Sequence, residues 1–164
     1  MTMTTYFYEN TSSHALSGKD YRLFLQTCTQ FCAYFSFSIH TAHSDAPQTD
    51  DRWQAFLAPY QVSGPSQSGT ADWAAPADLR LWFSCTPDAV QALQEFEGSI
   101  FGLMDICGMN NPFDIAFERA DGTVFADCHA DDGLCWIMPE EGEDISPLLQ
   151  NRHWTQATGG SAPL

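Results

Sequence analysis

Three groups of residues have the types and spacing to do chemistry. Cys128 and His129, with Cys135 a few residues on, offer three soft metal ligands across what reads as one hairpin. Zinc takes four such ligands, mostly with two cysteines separated by two residues, and that spacing is missing here. His40 and His43, with Asp45 nearby, are of the kind that ligates a hard or borderline cation, although two histidines in a polar loop are ordinary. Cys28 and Cys32 are spaced to share one helix face. They stand among Phe24, Leu25, Phe31 and Phe35, and read as small buried hydrophobes rather than a redox or metal pair. Nucleophilic chemistry has no counterpart: the sequence holds no GxSxG elbow, no HExxH and no glycine-rich phosphate loop. Acids are so abundant that no particular pair of them points to general acid catalysis. The expectation is a non-catalytic protein with no metal and no cofactor. A small metal-binding or enzymatic module built on the Cys/His groups is the alternative, and a housekeeping interaction domain is another.

The charge balance is more telling. The 164 residues carry 21 Asp+Glu against 6 Lys+Arg, a net charge of −15, with a single lysine, Lys19. Hydrophobic residues at 44% and aromatics at 13% exclude a disordered acidic tail. Such a charge repels phosphate backbones and anionic lipid, so neither nucleic acid nor membrane is expected as a partner. The excess is also unevenly placed. Between Asp114 and Asp144 stand ten acids (Asp114, Glu118, Asp121, Asp127, Asp131, Asp132, Glu140, Glu141, Glu143 and Asp144) against the lone base Arg119, which is nine of the fifteen net charges. Many fall at expected turns, where they project together as a solvated face or as a docking surface for a basic protein. Aromatic residues such as Trp73, Trp136 or Trp154 are candidate anchors for the second reading.

The elements that must position these residues follow from periodicity. Residues 6–8 form an aromatic strand. A helix runs from about Ser17 into the Cys28–Cys32 region, with Ser17 and Asp20 as a capping-box variant and Tyr21, Phe24, Leu25, Cys28, Phe31 and Cys32 at helical spacing. In residues 34–39 the period becomes two: Phe35, Phe37 and Ile39 face one way and the serines the other. Residues 51–60 form a short helix with Trp53, Phe56, Leu57 and Tyr60 on one face. Residues 63–78 read as a long loop with Trp73 alone in it, and residues 79–84 as a strand. Thr86 caps the next helix with Pro87 at its first position, burying Ala89, Val90, Leu93 and Phe96. Residues 98–111 are ambiguous. From Phe113 an antiparallel meander turns at Asp121-Gly122 and at Asp131-Asp132-Gly133. An acidic loop and a short helix from Ser146 follow. The sum is an α+β fold: one domain over residues 1–157, a mostly antiparallel sheet with a C-terminal β-meander, helices packed on one face, and a flexible tail over 158–164. Residues 1–10 lack a signal-peptide pattern and no apolar run is long enough to span a membrane, so the expected location is the cytoplasm, with its cysteines reduced.

This order of elements resembles a group of small acidic immunity proteins that accompany bacterial polymorphic or contact-delivered toxins. The residues that carry the resemblance are the aromatic strand at 6–8, the Cys-containing helix, the strand at 34–39, the isolated Trp73, the run from Asp114 to Phe125, and the strand ending Cys135-Trp136-Ile137. The resemblance covers most of the chain in pattern, without a diagnostic motif. It implies a non-catalytic inhibitor that covers the active or substrate-binding surface of a cognate toxin, and it carries over no individual residue. The toxin is expected to be basic and nuclease-like, met by an acidic surface of Asp121, Asp127, Asp131, Asp132, Glu140, Glu141, Glu143 and Asp144 with Trp136 and Trp73 as anchors.

Overall fold

The computed structural model describes residues 4–9, 11, 16–40, 52–65, 78–96, 98–99, 113–129 and 133–158. His43, Asp45, Trp73, Asp131 and Asp132 lie outside these residues, as do the ambiguous stretch 100–111 and the tail beyond Thr158.

The alternation of phenylalanine and serine sets the architecture. In β2 (Tyr34–His40), Phe35 and Phe37 point to the core while Ser36 and Ser38 occupy the opposite face. The strand lies in the interior of one antiparallel sheet. It pairs with β4 (Asp78–Ser84) on one side, Phe35 opposite Phe83, and with β5 (Phe113–Glu118) on the other, Phe35 opposite Phe117. Ring stacking follows from this register: Phe35 and Phe83 lie 5.2 Å apart between centroids, and Phe24 of the covering helix meets Phe117 edge-on at 5.3 Å.

The meander then continues through β6 (Val124–His129) and β7 (Leu134–Ile137). The β5–β6 turn places Gly122 at φ +87°, a left-handed conformation that glycine adopts at no steric cost. Two further edge elements were not anticipated from periodicity: β3 (Gln61–Val62), which extends β4, and β8 (Trp154–Gln156). The N-terminal strand β1 (Tyr6–Glu9) sits between β7 and β8, so the sheet order is β3-β4-β2-β5-β6-β7-β1-β8.

The described helices bury their apolar sides in the one core cluster. These are α1 (Gly18–Phe31), α2 (Arg52–Leu57) with a following 3-10 turn (Ala58–Tyr60), α3 (Pro87–Phe96) and α4 (Ser146–Leu149). Tyr21, Phe24, Leu25 and Cys28 of α1 meet Ala89, Val90 and Leu93 of α3, Leu57 of α2 and Leu148 of α4 above the sheet. The expected α+β fold with helices on one face is therefore what the chain adopts. Two local details differ. Ser17 stands at the α1 N-cap but makes no side-chain capping hydrogen bond, whereas Thr86 does cap α3, its Oγ1 accepting from the Ala89 amide at 3.3 Å. Phe56 is 45% exposed rather than buried, leaning on Phe96 at the rim of the α2–α3 contact.

Candidate binding surface

None of the described helices packs on the second face of the sheet, yet its middle is closed to water by its own side chains. Register places Trp82 opposite Ser36, Arg80 opposite Ser38, and Glu118 opposite Tyr34. Glu118, only 2% exposed, is the hub of the network these residues form. Its Oε1 accepts from Ser36 Oγ at 2.8 Å and pairs with Arg80 Nη2, while its Oε2 accepts from Trp82 Nε1 at 3.2 Å. Arg80 Nε donates to Ser36 Oγ at 3.0 Å, and its guanidinium lies over the Trp82 ring, 5.4 Å from the centroid. A buried charge pair is tolerated only with its remaining donors and acceptors satisfied in this way. Glu118, one of the ten acids between Asp114 and Asp144, faces inward, held by an arginine 38 residues away. The cue was parity: Arg80 and Trp82 alternate in step with Ser36 and Ser38.

Beyond Glu118 the same face becomes more open. Ala116 stands between Ser36 and Asp127 on the neighbouring strands, and its small side chain leaves a shallow hollow lined also by Ser38, Arg80 and Asp114. Asp127 Oδ2 lies 3.0 Å from His129 Nε2, whereas Asp127 Oδ1 and Ser38 Oγ are buried with no hydrogen-bond partner among the described residues. Asp127 is register partner of Trp136, and Trp136 in turn of Phe7, with the two rings tilted at 5.3 Å. Two of the expected contact residues, Asp127 and Trp136, are thus brought side by side on the half-exposed part of this face.

Of the other described acids, Asp121, Glu140, Glu141, Glu143 and Asp144 gather elsewhere, around Arg119 at the β5–β6 turn. Arg119 is itself buried: Nε and Nη2 each donate to Glu143 at 2.7 Å, Nη1 donates to the Val124 carbonyl at 2.9 Å, and Nη2 to the Met138 carbonyl at 2.8 Å. Glu140 stands 3.6 Å away. Burial pushes the Glu143 carboxyl up, but the bonds from Arg119 and from the Glu140 amide outweigh it and hold the group below its ordinary range. Glu143 therefore works as an internal clamp of the loop after β7. Asp121 is exposed and accepts from the Thr123 amide and hydroxyl, which lowers its carboxyl. Asp144 is likewise exposed and lowered by Ser146. Asp121, Glu140, Glu141 and Asp144 are the acids that face solvent at this rim. They lie at the end of β6 opposite from His129, about 17 Å along the strand. The eight of these acids among the described residues are accordingly divided between a buried hub (Glu118), an internal clamp (Glu143), mid-sheet positions (Asp114 and Asp127) and a rim, rather than forming one uniform patch.

Strand alternation also decides the Cys/His group. Cys128 and Cys135 are paired on the core face, both fully buried, and His129, the next residue along β6, projects from the other side of the sheet. The three cannot close on one ion, and among the described residues no three potential ligands converge. Cys28 and Cys32 are packed in the core as expected. His40 ends β2, and its proposed companion His43 lies outside the described residues.

Comparison with protein-family models, with curated proteins and with solved structures finds no match for this chain.

Proposed function

We propose that this chain is a non-catalytic binding protein, an immunity protein that neutralises a cognate bacterial toxin by covering its active or substrate-binding surface. The observation that carries the reading is the sheet face on which none of the described helices packs, where the half-exposed Trp136–Phe7 pair adjoins Asp127 on a chain of net charge −15. An aromatic pair supplies desolvated contact area, and acids beside it select a cationic partner and speed its approach. The solvent-facing rim acids Asp121, Glu140, Glu141 and Asp144 add long-range attraction. A nuclease-like toxin fits this chemistry, because a surface shaped to hold phosphates accepts carboxylates in their place.

Coexpression with the product of the adjacent gene, followed by size exclusion and surface plasmon resonance, tests the proposal. A stable complex is expected. Its association rate falls with added salt and drops roughly ten-fold or more when Asp121, Glu140, Glu141 and Asp144 are changed to lysine. Its dissociation is accelerated by Trp136→Ala. Absence of a complex sinks the toxin reading, and a complex indifferent to salt, to the lysine variant and to Trp136→Ala sinks the acidic-face version of it.

A further inference from the structure

We infer that Cys128 and Cys135 are a cross-linking pair, two thiols placed so that a disulfide-bearing oxidant joins them into a bridge between β6 and β7. Three observations converge on this pair. The two residues are direct register partners, so their side chains leave the sheet side by side on its core face. Their sulfurs lie 2.6 Å apart, in contact with each other. Both are completely buried, which shields a bridge, once formed, from reduction. Among the described residues the other buried thiols are placed differently: Cys28 and Cys32 also touch, but they succeed one another along a helix and its C-terminus rather than facing each other across two strands, and Cys85 follows the end of β4.

The chemistry balances as two exchanges. A thiolate of the pair attacks one sulfur of the oxidant disulfide, releasing one oxidant thiolate and leaving a mixed disulfide on the protein. The second thiolate of the pair then attacks the protein-side sulfur of that mixed bond, releasing the other oxidant thiolate. The protein gives up two electrons and two protons, and the oxidant leaves as two thiols. Burial and the neighbouring Cys135 push the Cys128 thiol up, so in the folded, reduced chain Cys128 offers little thiolate. The bridge therefore forms while the hairpin is assembling or transiently open. Once made, it pins the two strands directly beside the Asp127–Trp136 pair of the open face. This holds whether or not the binding reading survives, because it needs no partner.

The test is refolding of the full chain in a glutathione redox buffer, alkylation in denaturant, and a non-reducing peptide map. The expected product links the segments holding Cys128 and Cys135 and is lighter by two hydrogen masses, while Cys28, Cys32 and Cys85 are alkylated. Closing so short a loop raises the folding equilibrium constant roughly 50-fold over the reduced chain, read from urea unfolding of the two forms. Cys85→Ser leaves the linked product unchanged and Cys128→Ala abolishes it. Alkylation of both Cys128 and Cys135 after oxidative refolding overturns the assignment, as does a map dominated by another pair. A linked form that unfolds in less urea than the reduced one also overturns it, since a bridge in the native register holds the strands together.

Discussion

Replacing Arg119 by methionine removes one guanidinium from beneath the acidic loop, and the structure fixes what that costs. Methionine keeps an apolar stem near the Phe125 ring, over which the guanidinium lies at 5.5 Å, so little packing is lost. What disappears is the two-point bond to Glu143 and the donors to the Val124 and Met138 carbonyls. Orphaning the partners of a buried charge costs about 3–5 kcal/mol, and the lower end applies because Glu143, at the loop surface, can turn toward water. For a chain of this size that lower end, about 3 kcal/mol, is a fall in Tm of roughly 6–12 °C. Arg119→Lys keeps the charge but not the fork, and is expected to lose about half as much. Adding Glu143→Gln to Arg119→Met recovers part of the loss, because the carboxylate no longer lacks its counter-charge. Urea titration with an unchanged m value, alongside calorimetry, measures each effect. An Arg119→Met protein within about 1 kcal/mol of the parent refutes the clamp and returns Glu143 to the pool of acids free for a partner.

The hub on the open face makes a second prediction: Arg80→Met leaves the Glu118 carboxylate buried with only Ser36 and Trp82 as donors, a loss of about 3 kcal/mol or more, visible as a lower urea midpoint. Gly64→Ala should strain the same region, since Gly64 has φ +80° and an added Cβ comes within 2.6 Å of the Trp82 ring; lower stability and a shifted Trp82 indole N–H resonance are expected, and an unchanged NMR spectrum refutes it. The pH dependence follows from carboxyls lowered on folding. Glu143, Asp121 and Asp144 contribute stability that is fully present above their unfolded values near pH 4 and is lost as pH falls through their lower folded values. The urea midpoint should therefore decline below about pH 4.5, and less steeply in Arg119→Met, where Glu143 has lost its principal reason to stay ionised.

Much of the core side was legible because one residue type answers to one periodicity. Phe35 and Phe37 announce a strand, Thr86-Pro87 a helix start, and Asp121-Gly122 a tight turn, and each rests on local physics that neighbours do not override. The edge strands β3 and β8 were not legible, since two or three residues carry no period and owe their conformation to β4 and β1. The site was half legible. Asp127 and Trp136 were named without knowledge that register makes them partners. The burial of Glu118 was not legible because it depends on which strand flanks β2, a long-range fact, and sequence proximity made Cys128 and His129 look like companions although a strand sends them to opposite sides.

The placement of β1 has a consequence for how the chain comes to be folded at all. Its partners β7 and β8 end at Ile137 and Gln156, and the Ala157 amide bonds back to the Thr5 carbonyl at 2.8 Å. β1 thus precedes both of its partners by more than a hundred residues of chain, and its aromatic edge stays unpaired until they are made. Pairing of β1 is therefore a high-contact-order step, slow and exposed meanwhile to mispairing with other chains. The same neighbourhood makes residues 5 and 157 a natural splice: joining them and opening the chain elsewhere would deliver β1 together with its partners and shorten that wait.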